Sequence, residues 1–399
     1  MPGPMEGIKV VELGFWVAGP AVGGILADWG ADVVKIEPLD GDPFRSLAWF
    51  FGMDGDNPPF ELDNRSKRSI ALDYATDAGR EILLELIDGA DVFVTNLRPG
   101  GLERAGLDYQ TLSRRCPRLV YASVTGYGLE GPDRDRPAYD VGAFWARAGI
   151  VAALTPEGTQ YPLQRGGMGD HMTAMSAVAA ISAALYRREH TGEGQQVRAS
   201  LLRLGMYMVG WDTNINLRTG METVPYQPAA PPNPLIHPYR SSDGKGFWML
   251  GLESDRHWER TCRALDHPEW IDDPRFTTIE DRLLNTAALT ALLRDAIAER
   301  PFEELTAVFD EHDVWWSPVQ ATHEAIHDPQ ALANGALVDV PVGDGTTCPM
   351  VASPVDFDGT PWKVRDMSPE LGQHTESILM EMGRDWDEIE ALKAAGVIN

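Results

Sequence analysis

The chain has 399 residues, 43% of them hydrophobic, and a formal net charge of -26 at pH 7. That length suits two domains, or one large domain with an excursion. It contains no run of 18 apolar residues of the kind that spans a membrane, and no basic patch to set against the repulsion between this acidic chain and a nucleic acid. Six of the 34 basic residues are lysine, so most positive charge sits on arginines, whose forked donors match phosphate and carboxylate. Cys116, Cys262 and Cys348 are far apart and odd in number, which gives neither a disulfide framework nor a zinc spacing. The opening Met1 to Gly7 lacks the basic-then-apolar pattern of a signal peptide, and the expectation is a cytoplasmic protein without a metal centre.

In chain order, Ile8 to Leu13 is a short β-rich run, and Ala18-Gly19-Pro20 opens a small-residue helix ending near Gly30. Ala31 to Glu37 reads as the next strand, followed by Ser69 to Leu72, a helix from about Ala75 to Ile87, and strands at Ala90 to Thr95 and Leu119 to Val124. Strands alternating with helices at this spacing predict an α/β domain with a parallel sheet covered on both faces. Ligands of such sheets bind at the loops beyond the carboxyl ends of the strands. The glycines after the first strand do not have G-x-G-x-x-G spacing, so a dinucleotide fingerprint is excluded. A long helical run covers Met172 to Glu189. Between Pro225 and Pro238 six prolines read as linker, then Gly246 to Leu250 looks like a strand and Ile279 to Arg300 like an amphipathic helix. Ser368 to Val397 is helical again. The resulting division is a large domain over 1–204, a linker at 205–224, a smaller α/β domain at 225–320 and a return to the large domain over 321–399.

One carboxylate stands out. Asp170 lies in Gly166-Gly167-Met168-Gly169-Asp170-His171, a glycine-rich turn leading into the long helix. Glycines let a ligand approach the backbone, and a helix start favours an ionised carboxylate. An ionised Asp held there can act as a nucleophile. Asp is equally a preferred N-cap, so the local sequence leaves capping open beside catalysis.

Four segments together resemble the family III CoA-transferases, the group that includes formyl-CoA transferase and the carnitine-type enzymes. They are Val17 to Pro20 with Leu26 to Glu37; Asn64 to Asp73 with Asn96 to Gly100 and Arg104; Gly126-Tyr127-Gly128 with Tyr139-Asp140; and Gly169-Asp170 with His190 to Gln195. The resemblance runs in order along nearly the whole chain. It implies a Rossmann-like large domain built from both chain ends, a small domain, and an interlocked homodimer. It implies that Asp170 is the nucleophile toward an acyl-CoA thioester, with a carboxylic acid as acceptor and no permanently bound cofactor. Val17, Ala18, Leu72, Asn96, Leu97, Arg98, Arg104 and Tyr139 match CoA-contacting or site-lining positions, and Gly167 and Gly169 the turn whose N–H groups are candidate oxyanion donors. Plainer roles stay open: an ion pair of Arg104 with Glu103 or Asp108, a core side chain for Leu72, and a solvated loop rather than phosphate contacts for Lys67-Arg68.

The departures bear on substrate. Val17 replaces a glutamine of formyl-CoA transferase, two of its CoA-touching lysines become Ala75 and Pro137, and its glycine-run loop is replaced by Pro231 to Leu235. Phe15-Trp16-Val17, with Trp49-Phe50-Phe51, suits a larger and less polar acyl group, ordinary core packing being the alternative. An α-methylacyl-CoA racemase shares the fold, but its His base is replaced by Tyr139 before Asp140. A non-catalytic CoA-binding protein is the third reading.

Overall fold

The structure, a computed structural model, describes residues 3–53, 55, 57–343 and 345–399. Two compact units emerge. The larger comprises residues 1–151, 163–221 and 335–399, and the smaller 152–162 and 222–334.

The larger unit is built on six parallel strands: β1 (Lys9–Leu13), β2 (Asp32–Glu37), β3 (Arg68–Ala71), β4 (Val92–Thr95), β5 (Val120–Thr125) and β6 (Gln196–Ser200), in the order β3-β2-β1-β4-β5-β6. This is the doubly wound order whose switch point falls between β1 and β4. Both sheet faces are apolar because successive residues alternate sides. Val10, Val33, Val92, Val94 and Ala122 meet helices α1 (Ala18–Asp28) and α6 (Met168–Thr191) on one face. Val11, Val34, Phe93 and Tyr121 meet Ile82, Leu83 and Ile87 of α3 (Asp77–Asp88) on the other. Between these come α2 (Pro58–Asn64), α4 (Pro99–Ala105) and α5 (Tyr109–Arg115). The chain end returns as α12 (Thr375–Glu381) and α13 (Trp386–Ala394), which bury Ile378, Leu379 and Ile389 in the second face.

Four predicted segments are corrected. Segment 205–224 is largely two helices, α7 (Leu201–Met208) and α8 (Gly210–Thr219), rather than linker, because no proline interrupts it before Pro225. Residues 152–162, assigned above to the large domain, and 321–334, assigned to its return, group with the smaller unit. The predicted helix from Ile279 to Arg300 breaks at Asn285 into Ile279–Leu284 and Thr286–Ile297.

The smaller unit carries a three-stranded antiparallel sheet, β7 (Pro238–Arg240), β8 (Gly246–Met249) and β9 (Trp316–Pro318), so its strands are not wound in the parallel manner of the larger unit. It packs on α9 (Ser254–Ala264), α10 (Thr286–Ile297) and α11 (Phe302–Glu311) through Phe247, Trp258, Leu293 and Phe309.

Buried charges break the apolar pattern of β1 and β2. Lys35 Nζ lies 3.2 Å from Glu12 Oε1 and 2.9 Å from Asp42 Oδ2, and Lys67 Nζ lies 2.7 Å from Glu12 Oε2, all four side chains sealed from solvent. Only opposite charges and hydrogen bonds make such burial tolerable. Gly23 is obligatory beside them, because a Cβ there would sit 1.9 Å from Glu12 Oε2.

Candidate active site

The switch point is clamped by one side chain. Asn96, in the loop after β4, accepts from Phe15 N (3.0 Å) and donates to Phe15 O (2.7 Å) in the loop after β1. Through these two bonds Asn96 ties the loops after β1 and β4 together. The loop it holds runs into Trp16, whose φ of 67° is left-handed, a conformation that costs a bulky residue about 1–3 kcal/mol. Three contacts hold it there: Trp16 N donates to Asp42 Oδ1 (3.1 Å), and its ring meets Phe44 (6.3 Å) and the edge of Tyr139 (5.7 Å between centroids). Next in the chain, Val17 precedes α1 and approaches the Gly167 turn. A Cβ built on Gly167 would stand 3.6 Å from Val17 Cγ1 and 3.3 Å from His171 Cε1.

Asp170 does not cap its helix. Helix α6 begins at Met168, its N-cap is Gly167 at φ 74°, and Asp170 lies within the first turn. Capping falls to Asp140. Its Oδ2 accepts from Gly169 N (3.2 Å) and Gln164 Nε2 (2.6 Å), and its Oδ1 from Val141 N (2.7 Å). Gly169 is glycine for a second reason, since a Cβ would meet Phe144 at 2.6 Å. Its N–H is therefore occupied, which corrects the expectation that Gly169 donates to an oxyanion. Gly167 remains a candidate, as does the start of α1 at Ala18, where no side chain caps the helix.

Electrostatics at Asp170 are unusual. Burial raises its pKa most, the nearby Asp140 carboxylate adds to the rise, His171 opposes it and Asp63 adds a little, bringing it to about 7. No hydrogen bond contributes. Among the described residues the carboxyl is thus under-solvated and without a hydrogen-bond partner.

The remaining predicted residues divide. Leu72 is fully buried among the core side chains, and its N–H donates to Glu37 O (2.8 Å), so its side chain is not a ligand contact. Lys67 is sealed in the Glu12 network and Arg68 pairs with Asp32 (2.7 Å) and Glu381 (2.8 Å), which removes both from the phosphate candidates. Leu97 is half-buried at the rim of the core. Arg98 and Arg104, at opposite ends of α4, are exposed, and among the described residues neither guanidinium has an ion-pair partner. Glu103 and Asp108 are occupied elsewhere, by Arg134 (2.6 Å) and by capping Thr111 N (3.1 Å). Trp49 and Phe50 are exposed, and the side chain of Phe51 lies outside the described residues. Among the described residues no group of three or more His, Cys, Asp or Glu is arranged to hold a metal ion, and no helix is long and apolar enough to cross a membrane.

Residues 5–375 match the profile described as CoA-transferase family III. The chain belongs to that family. Similar characterised proteins are an (R)-2-hydroxy-4-methylpentanoate CoA-transferase of Clostridioides difficile, 31% identical over 99% of both chains, and a cinnamoyl-CoA:phenyllactate CoA-transferase of Clostridium sporogenes, 33% identical over 97% of this chain and 95% of that one. A crystal structure of a CAIB/BAIF family protein from Brucella suis superposes with a TM-score of 0.83 at 33% identity, covering 96% of this chain and 100% of that one. As a family III CoA-transferase the protein is an enzyme whose substrates are CoA thioesters. Sequence reasoning did not find three parts of this site: the Asp140 cap, the left-handed Trp16, and an ion pair from His171 to Asp63. The first had a signal in the acidic residue of the Tyr139-Asp140 segment; the last joins residues 108 positions apart.

Proposed function

We propose that the enzyme moves CoA from an acyl-CoA thioester to an acceptor carboxylic acid through covalent intermediates on Asp170. The carboxylate attacks the thioester carbonyl, giving an acyl-aspartyl anhydride and CoA thiolate. The thiolate attacks the aspartyl carbonyl, forming aspartyl-CoA and releasing the first acid. The acceptor carboxylate attacks aspartyl-CoA to give a second anhydride, and the thiolate then takes its acyl group, restoring Asp170. No proton is consumed in this cycle, so the site needs an ionised, aligned carboxylate and oxyanion donors rather than a general acid. The observation that carries the reading is Asp170 itself: in the first turn of α6, not capping it, and among the described residues without a hydrogen-bond partner. A two-base racemase fits less well, because both Asp140 oxygens already accept hydrogen bonds.

Arg98 and Arg104 are proposed to meet the CoA phosphates, as free cations in the segment following β4, the end of the sheet where ligands gather. Trp16, Val17 and Tyr139 form an apolar wall beside the Gly167 turn, and the charges acting on Asp170 include Asp140 and Asp63. That lining favours an acyl group with an apolar branched or aromatic side chain over a dicarboxylic one, whose second carboxylate meets like charge. A homodimer is proposed as the working form: α8 buries none of its residues, and Tyr207, Trp211 and Leu217 are 78%, 90% and 74% exposed, a larger apolar surface than a lone chain usually leaves to water.

The test is intact-protein mass after mixing with acyl-CoA thioesters, trapped with hydroxylamine. An aspartyl hydroxamate mapped to Asp170, absent in Asp170→Ala, is expected. Turnover without any trapped adduct, unchanged in the Asp170→Ala variant, refutes the mechanism.

A further inference from the structure

His171 follows Asp170 in the first turn of α6, and its Nε2 lies 2.9 Å from Asp63 Oδ1. The imidazole folds back over the turn, close enough that a Cβ on Gly167 would stand 3.3 Å from Cε1. Asp63 comes from α2 and is buried, its side chain 3% exposed against 40% for His171. Among the described residues its Oδ2 has no hydrogen-bond partner, and the hydrogen bond of the carboxylate is the one to His171. The approach of α2 to α1 that brings it there needs Gly24, where a Cβ would meet Asp63 O at 2.7 Å. A cavity of about 190 Å³ lined by His171, Asp63, Met175 and Val351 adjoins the pair.

Resting on the reading of Asp170 as nucleophile, we propose that the His171–Asp63 pair is a positioning device that holds a cation against the turn and favours the ionised form of the neighbouring Asp170 carboxylate. The groups acting on Asp170 are Asp140, His171 and Asp63, and of these only His171 can carry positive charge. Burial works against the imidazolium, but the hydrogen bond and charge of Asp63, with the charges of Asp170 and Asp140, outweigh it and raise the His171 pKa above its ordinary value. Lys67, whose charge also interacts with Asp63, is held by Glu12 and by Asn64 Oδ1 (2.9 Å) and does not replace His171. His171 therefore acts through Asp170, without a bond to be made or broken at the imidazole.

Carbon-13 NMR of aspartate-labelled protein, with Asp170→Asn identifying the signal, reads the Asp170 titration without substrate. In His171→Gln the midpoint is expected to move up by about one pH unit, the size of effect a nearby opposite charge exerts. His171→Arg is expected to bring it back toward the wild-type value. In Asp63→Asn the histidine spectrum, assigned with His171→Gln, is expected to show the imidazole midpoint falling. An Asp170 midpoint equal in wild type, Gln and Arg variants overturns the proposal, whatever the change in Tm. So does an Asp63→Asn histidine spectrum in which every imidazole midpoint equals its wild-type value, a comparison that needs no His171 variant and stands even where those variants do not fold. Because neither titration involves turnover, a failure of covalent trapping at Asp170 counts against the catalytic reading and leaves these midpoints interpretable.

Discussion

Replacing Asp170 with asparagine is expected to stabilise the protein while abolishing its chemistry. The carboxyl titrates at about 7 in the fold against 3.8 for an ordinary aspartate. The folded state therefore holds the proton more tightly, and between those values its stability falls as pH rises. Above pH 7 the penalty for holding the charge is complete; below 3.8 both states are protonated and it vanishes. Each unit of displacement corresponds to about 1.4 kcal/mol, which sets a ceiling of about 4 kcal/mol at pH 8. Solvent reaching the half-buried carboxyl lowers this to about 1–3 kcal/mol, or roughly 1–4 °C in Tm for a chain of this size. Asp170→Asn retains the shape and removes the charge, so differential scanning calorimetry at pH 8 should show that gain and at pH 4 almost none. In parallel, kcat/KM of the wild type should fall on the acid side with a midpoint near 7, about a tenth of the carboxyl remaining ionised one unit lower. A Tm gain that is the same at both pH values, or activity flat between pH 5 and 8, refutes the account of Asp170 as an under-solvated carboxylate.

Asp140→Asn removes the negative neighbour of Asp170, so the acid limb should move to lower pH, while the weakened cap at Gly169 costs about 1–2 kcal/mol by chemical denaturation. Gly169→Ala drives a methyl into Phe144 and should destabilise by about 1–3 kcal/mol; combining it with Phe144→Leu should recover part of the loss in a double-mutant cycle. Arg104→Ala should raise KM for an acyl-CoA donor roughly tenfold with kcat little changed, and the difference from wild type should shrink in high salt. Trp16→Ala opens the apolar wall, so kcat/KM should fall about tenfold for an aromatic acyl donor and less for acetyl-CoA.

Two kinds of information are separable in this protein. The alternation of apolar runs with small-residue helices was enough to predict a parallel α/β domain, because a sheet buried on both faces needs strands such as Val92–Thr95 and Val120–Thr125, buried along their whole length. The glycine-rich turn before a long helix likewise singled out Asp170. Sequence could not decide whether that aspartate caps the helix, since capping depends on which acceptor reaches the orphan N–H groups, and Asp140 arrives from 29 residues away. Nor could it tell the committed polar residues from the free ones. Lys67, Arg68, Asn96 and Arg104 look alike as candidates in the chain; three are consumed by partners brought near only by folding, and Arg104 is left open. Burial of Glu12, Lys35 and Asp42 in one network, the left-handed Trp16, and the His171–Asp63 pair have the same origin. Local pattern dictates which segments become strands and helices, because backbone geometry and side-chain alternation act within a few residues. Charge state and availability are set by desolvation and by neighbours distant in sequence, and these exist only once the chain is packed.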